Sequence, residues 1–147
     1  MISFYHEPVP YLSTDQMREV DRLMIEVYHI ELIQMMENAG RHLAALARER
    51  FLGGDPHGKH VIVLAGTGGN GGGVLVCARW LHNAGVRVEV LLAAAAEKFS
   101  SVPAHQLDIL HRMDVPVTQA DHFTDDRKPD LIIDGLIGYS LQGAPRE

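Results

Sequence analysis

Six glycines fall within eight residues, Gly66 to Gly73, in the stretch "LAGTGGNGGGVLVCARWL". An apolar strand-like run precedes them and an apolar helix-like run follows. Glycine in quantity raises the entropy cost of folding. A close strand–helix turn needs one or two glycines, so six ask for another reason. At a strand-to-helix turn the first backbone N–H groups have no intrahelical partner, and the helix dipole favours negative charge there. Without Cβ atoms in the way, a phosphate or pyrophosphate can reach those groups. The functional reading is an anion cradle, and the bland alternative is a packing turn. No Gly-Lys-Ser/Thr follows the glycines, which argues against an ATP- or GTP-hydrolysing P-loop. Gly66, Gly68 and Gly71 satisfy G-x-G-x-x-G, but the acid that normally ends the second strand of a dinucleotide fold is missing. Glu89 lies mid-strand and Glu97 lies past the strand's end. A conventional dehydrogenase is therefore disfavoured.

The elements that must hold this loop follow from the pattern on either side. Ser13 fits a helix N-cap with Gln16 as its capping-box partner, and Met17, Val20, Met24 and Val27 recur at helical spacing. A second helix is expected over about residues 31–50, with Met35, Ala39, Leu43 and Ala47 as its buried stripe and Gly53-Gly54 as its stop. "HVIVLA" (60–65) reads as a short strand buried on both faces. A helix over about residues 72–83 closes at Gly85. "VRVEVLL" (86–92) is a second strand. Pro103 opens a helix behind Ser100 or Ser101, "VPV" (115–117) suggests a short strand, and "DLIIDGLIG" (130–138) is another apolar strand entering a glycine-containing loop. This alternation predicts an α/β, three-layer, Rossmann-like fold on a mostly parallel sheet, with two helices ahead of the first strand.

Composition narrows the function classes. The chain has 147 residues, enough for one domain with a sizeable core. Thirteen basic residues stand against nineteen acidic ones, a formal net charge of −6. That balance argues against nucleic acid or an anionic membrane as partner. The single cysteine, Cys77, permits no intrachain disulfide and falls in an apolar helical run, where it reads as a core residue. The start of the chain lacks a secretory pattern, and no apolar run nears the roughly 20 residues of a membrane span. The expectation is a cytoplasmic protein. His57, His60, His105 and His111 show no close ligand pair, so zinc is disfavoured and most histidines are expected on the surface.

Three segments, in order, resemble the YjeF N-terminal domain family. They are "LSTDQMREVDRLMIEVYHIELIQMMENAG", "AGTGGNGGGVLVCARWLHNAG" and "DLIIDGLIGYSLQGAPRE", and together they span residue 12 to the end. The resemblance implies a single domain over residues 1–147 corresponding to the N-terminal portion of the family fold, the C-terminal part of that fold being absent. It implies NAD(P)H-hydrate epimerase activity, the interconversion of the R and S forms of NADHX and NADPHX in cofactor repair. By resemblance, Gly69, Asn70, Gly71, Gly72 and Gly73 bind substrate, as do Gly138, Tyr139, Ser140, Leu141, Gln142, Gly143 and Ala144 in a closing loop. Asn70 and Asp134 would ligate a potassium ion, and where Gly73 stands in place of the family's aspartate, the position of Asp134 makes it the candidate catalytic acid or base instead. Asn38 in "MENAG" would bridge helix and loop. An ADP/ATP-dependent NAD(P)H-hydrate dehydratase, as a fused domain or partner, and a homodimer are also implied.

Three positions depart from the family's glycine segment. Gly69 replaces its first asparagine, Gly73 its aspartate and Val74 its last glycine. The alternative function is therefore a catalytically weak or inactive nucleotide-binding or scaffold module on the same fold. As turn and cap residues, Asn70 and Asp134 also keep bland readings, and Tyr139 keeps one as a packing aromatic.

Overall fold

The computed structural model describes residues 9, 11–122, 128–139, 141, 143 and 144. Four strands, β1 (His60–Ala65), β2 (Arg87–Leu92), β3 (Val117–Gln119) and β4 (Leu131–Gly135), form one sheet in the order β3-β2-β1-β4. Every pairing is parallel. The helices are α1 (Thr14–Arg22), α2 (Leu32–Leu46), α3 (Gly69–Asn83) and α4 (Ser101–Arg112). This is the Rossmann-like α/β architecture that the alternating pattern dictates, with two helices ahead of β1.

Alternate residues of the central strands, Val61, Val63, Ala65, Val88, Val90, Leu92 and Ile133, enter one core with Leu75, Ala78 and Leu81 of α3 and Leu107 and Leu110 of α4. β1 is buried over nearly its whole length, as expected for the middle of a parallel sheet. Cys77 is fully buried, and burial pushes its thiol up to about 12, in keeping with a core role. Most of the described histidines lie at the surface as expected, and His60 is the exception. It is 5% exposed, and its Nε2 sits 2.8 Å from Glu89 Oε1, a partner that only the strand register supplies.

The capping box of α1 forms as anticipated, with Ser13 and Gln16 exchanging hydrogen bonds. The helix continues as a π-helical turn, Leu23–Val27. Neither part buries a side chain, so the spacing of Met17, Val20, Met24 and Val27 marks a helix but not a core stripe. In α2 the buried stripe is Met36, Gly40 and Ala44, one residue on from the expected Met35, Ala39 and Leu43. The reason is close approach. A Cβ on Gly40 would overlap Val76 and the Gly73 carbonyl oxygen, so α2 crosses α3 where its side chain is smallest. Ala47 is buried as expected. A π-helical turn, Ala47–Phe51, extends α2, and the left-handed Gly53 then turns the chain away (φ 72°).

Two boundaries differ from expectation. α3 begins at Gly69, not near residue 72, so most of the glycine run is the first turns of a helix. Propensity disfavours glycine in helices, but tertiary contacts choose it here. The strand expected at 115–117 is shifted to Val117–Gln119.

Candidate functional site

Parallel α/β sheets bind ligands beyond the carboxyl ends of their strands, where the strand order reverses direction. In the order β3-β2-β1-β4 that point lies between β1 and β4, whose last residues Ala65 and Gly135 are partners. A cleft of about 250 Å³ opens there, lined by Met36, Ala39 and Leu43 of α2, Gly69, Asn70, Gly73 and Val74 of α3, and Asp134 and Gly135 of β4. That is below the roughly 300–1,000 Å³ of a complete small-molecule site.

The glycines divide by what surrounds them. A Cβ on Gly71 would overlap the Gly66 carbonyl oxygen, and one on Gly72 would press on the Met36 thioether. These two are buried and hold α3 against its neighbours. At Gly69 and Gly73 an added Cβ meets nothing within 4 Å. These two face the cleft, and packing does not require glycine at either.

Asn70 is anchored by its amide, whose Nδ2 donates to the Ile137 carbonyl at 2.8 Å. Its Oδ1 keeps its acceptor capacity. Asp134 Oδ1 accepts the Leu136 N–H at 2.9 Å, and its second oxygen can take another donor or a cation. Asp134 also lines an adjoining apolar hollow of about 350 Å³ between Leu46, Phe51 and Ile132. Among the described residues it is the only ionisable side chain on either wall. Two side-chain oxygens of this type, amide and carboxylate, suit a hard, weakly held cation. Among the described residues no group of three His, Cys, Asp or Glu side chains could hold a metal ion.

The loop after β4 meets the cleft through Gly138, where a Cβ would be 3.5 Å from the Asn70 side chain. Tyr139 is half exposed and donates its hydroxyl to Asp21 Oδ2 at 2.5 Å. Leu141, Gly143 and Ala144 are exposed. Ser140 and Gln142 lie outside the described residues. Asn38 accepts from Arg41 within α2 at 3.3 Å, a local contact in place of the expected bridge to the loop. α2 is instead tied to α3 through Glu37, which pairs with Arg79 and accepts from Trp80 Nε1.

Sequence reading missed Met36, Ala39, Leu43, Val74 and Gly135 as cleft residues. A signal existed for one of them. Gly135 directly follows Asp134, and a Cβ there would overlap Val74, so glycine lets β4 approach α3. Asp21 was also missed, because only the fold brings it to Tyr139.

Residues 32–147 match the family described as YjeF-related protein N-terminus. The chain is 44% identical over 138 residues to an NAD(P)H-hydrate epimerase of Dehalogenimonas lykanthroporepellens, covering 91% of this chain and 54% of that protein. It is 33% identical over 152 residues to the bifunctional NAD(P)H-hydrate repair enzyme Nnr of Salinibacter ruber, covering 94% of this chain and 28% of the other. Among solved structures, yeast ynu0 superposes with a TM-score of 0.79 at 32% identity, over 95% of this chain and 61% of that one. The chain thus spans about half the length of the monofunctional relative and less of the bifunctional one. No described helix is long and apolar enough to cross a membrane.

Proposed function

The chain belongs to the YjeF-related protein N-terminus family, and from that premise we propose that it interconverts the R and S epimers of NADHX and NADPHX, an isomerase in nicotinamide cofactor repair. One observation carries the reading. Asn70 and Asp134, expected to act together from their motifs alone, line the same cleft at the strand-order reversal, beside two glycines that packing does not need. Relatives with 44% and 33% identity bear the names NAD(P)H-hydrate epimerase and NAD(P)H-hydrate repair enzyme.

The reaction is an isomerisation and needs no net redox change. The hydrated ring carries a hydroxyl on the carbon next to the ring nitrogen. Asp134 moves the hydroxyl proton to the ring nitrogen as that carbon–nitrogen bond breaks, leaving a neutral amine and an open-chain aldehyde. The nitrogen re-adds to the opposite face of the carbonyl, and Asp134 carries the nitrogen's proton back to the new hydroxyl. Proton transfer by one positioned carboxylate supplies about 10²–10⁴-fold. The amide groups at the start of α3 face the anionic bridge of the dinucleotide, where the helix dipole favours negative charge. Gly69 and Gly73 leave room for that approach. Asn70 Oδ1 and the second Asp134 oxygen would hold a potassium ion, which when bound neutralises charge between carboxylate and phosphate. Of the expected closing loop, Gly138 and Tyr139 would cover the ligand. The reading extends to a cytoplasmic protein that acts as a homodimer and feeds a nucleotide-dependent dehydratase.

A second reading, a nucleotide-binding or scaffold module with little activity, is favoured by Gly73, which lacks the acid of the usual motif. One experiment separates them. A single NADPHX epimer is incubated with the protein at matched potassium and sodium, and the epimer ratio is followed by chromatography. Equilibration well above the spontaneous rate is expected, faster in potassium, and Asp134→Asn should lower kcat by about 10²–10⁴-fold. A rate equal to background, with NADP or AMP still binding on titration, would leave the scaffold reading.

A further inference from the structure

The loop that follows β4 is pinned at three points. Leu136 donates to Asp134 Oδ1 at 2.9 Å, Ile137 accepts from Asn70 Nδ2 at 2.8 Å, and Tyr139 donates to Asp21 Oδ2 at 2.5 Å. The first two pins are made by cleft residues and tie the loop to α3 and β4. The third spans 118 residues of sequence and reaches α1, a helix that buries no side chain. The ion pairs of α1, Arg18–Asp15, Arg22–Glu19 and Arg22–Glu26, stay within it and its π-helical extension.

We propose that Asp21 is a positioning residue, holding the loop after β4 over the cleft through the Tyr139 hydroxyl, so that α1 and the loop close on the bound dinucleotide as one unit. The identity of that ligand rests on the functional reading above. A hydrogen bond to a carboxylate is shorter and about twice as strong as a neutral one. Asp21 also holds the Tyr139 phenol above its ordinary range by accepting its hydrogen bond, with desolvation adding to this. The donor is therefore present throughout the neutral range. A nine-residue helix is marginal by itself in water, so docking on the loop keeps α1 in place. The coupling then runs in both directions. Asn70 and Asp134 each touch ligand space and loop backbone, and whatever draws them to the ligand also sets the loop that Asp21 secures. Holding a closing segment in its bound position improves binding by reducing the ordering cost at the moment of association.

The test is a double-mutant cycle with two readouts. Asp21→Ala and Tyr139→Phe should each raise KM for NADPHX about five- to tenfold, with the loss in KM and not in kcat. The double variant should be no worse than either single one, because both remove the same bond. Asp21→Asn, whose amide oxygen still accepts from the phenol, should restore KM to within about twofold of wild type. In the free protein, amide exchange at Leu136 and Leu141 should quicken in both single variants, as read by mass spectrometry. That arm needs no turnover. Faster exchange without epimerase activity would retain the latch and reject the functional reading. Effects that multiply in the double variant, or exchange that does not change, would overturn the latch.

Discussion

Gly71 and Gly73 lie two residues apart in the first turns of α3, yet their lack of a side chain serves different ends. Gly71 is buried where the Gly66 carbonyl oxygen leaves no room for a Cβ, and Gly73 faces open space in the cleft. Gly40 and Gly72 belong with Gly71, and Gly69 belongs with Gly73. A glycine-rich segment is therefore two devices superimposed. One set lets α2, α3 and the β1 turn pack at backbone contact. The other leaves the cleft open. Only the second set is free to vary without loss of the fold, and the departures from the family motif at Gly69 and Gly73 fall in that set.

The comparison can be broken most sharply at Gly71. Gly71→Ala forces backbone to move, which should cost about 3 kcal/mol and lower Tm by about 10 °C. Gly40→Ala meets Val76 and a carbonyl oxygen, and about 2 kcal/mol is expected. Gly72→Ala meets chiefly the flexible end of Met36, so about 1 kcal/mol should suffice. At Gly73 the sign reverses. Gly73→Ala should stabilise by about 0.5–1 kcal/mol, because alanine favours the helix and nothing obstructs it. Thermal unfolding of the four variants gives the order directly, and a destabilised Gly73→Ala would erase the distinction. Gly73→Asp should also fold normally, since a Cβ there meets nothing within 4 Å. If an acid there shares in proton transfer, epimerisation should quicken on the same protein.

The two aspartates of the β4 segment sharpen the same contrast. Asp130, before the strand, accepts the His60 N–H at 2.8 Å and the Lys59 ammonium at 3.2 Å. The backbone hydrogen bond from His60, and then Lys59, hold its carboxyl below the ordinary range. Its folded pKa is lowered, so its contribution to stability is present above the unfolded pKa and is lost as pH falls through the folded one. Asp130→Asn should therefore flatten the fall of Tm on the acid side while leaving epimerisation at neutral pH intact. Asp134→Asn should do the reverse, sparing Tm and removing activity. The smallest effect is expected at Cys77. Buried in the core with its thiol raised to about 12, it should not react with a thiol reagent at pH 8 until the protein is unfolded.

Much of the fold was legible because apolar runs of strand length and glycine stops are local signals. "HVIVLA" became β1 residue for residue, and Gly85 ended α3 as read. The site was legible in part. Asn70 and Asp134 carried motif signals, and the sheet brought both to one cleft. What failed to read was set by contact between distant segments. The α2 stripe is displaced by one residue because Gly40, uncounted in any apolar pattern, is where α3 comes closest. The spacing of Met17, Val20, Met24 and Val27 made α1 a helix without saying what it packs on, and none of its residues is buried. His60 found Glu89 only through strand pairing, and Asp21 found Tyr139 across 118 residues.

Strand and helix periods, turn residues and the glycine run thus determined by themselves that this chain forms a parallel α/β fold with a glycine-rich helix start, because each depends on bonds between residues a few positions apart. Which glycines pack and which open onto the cleft, where α2 rests on α3, and which acid holds the loop were decided only in the tertiary structure. Those outcomes depend on distances between backbones that are remote in sequence.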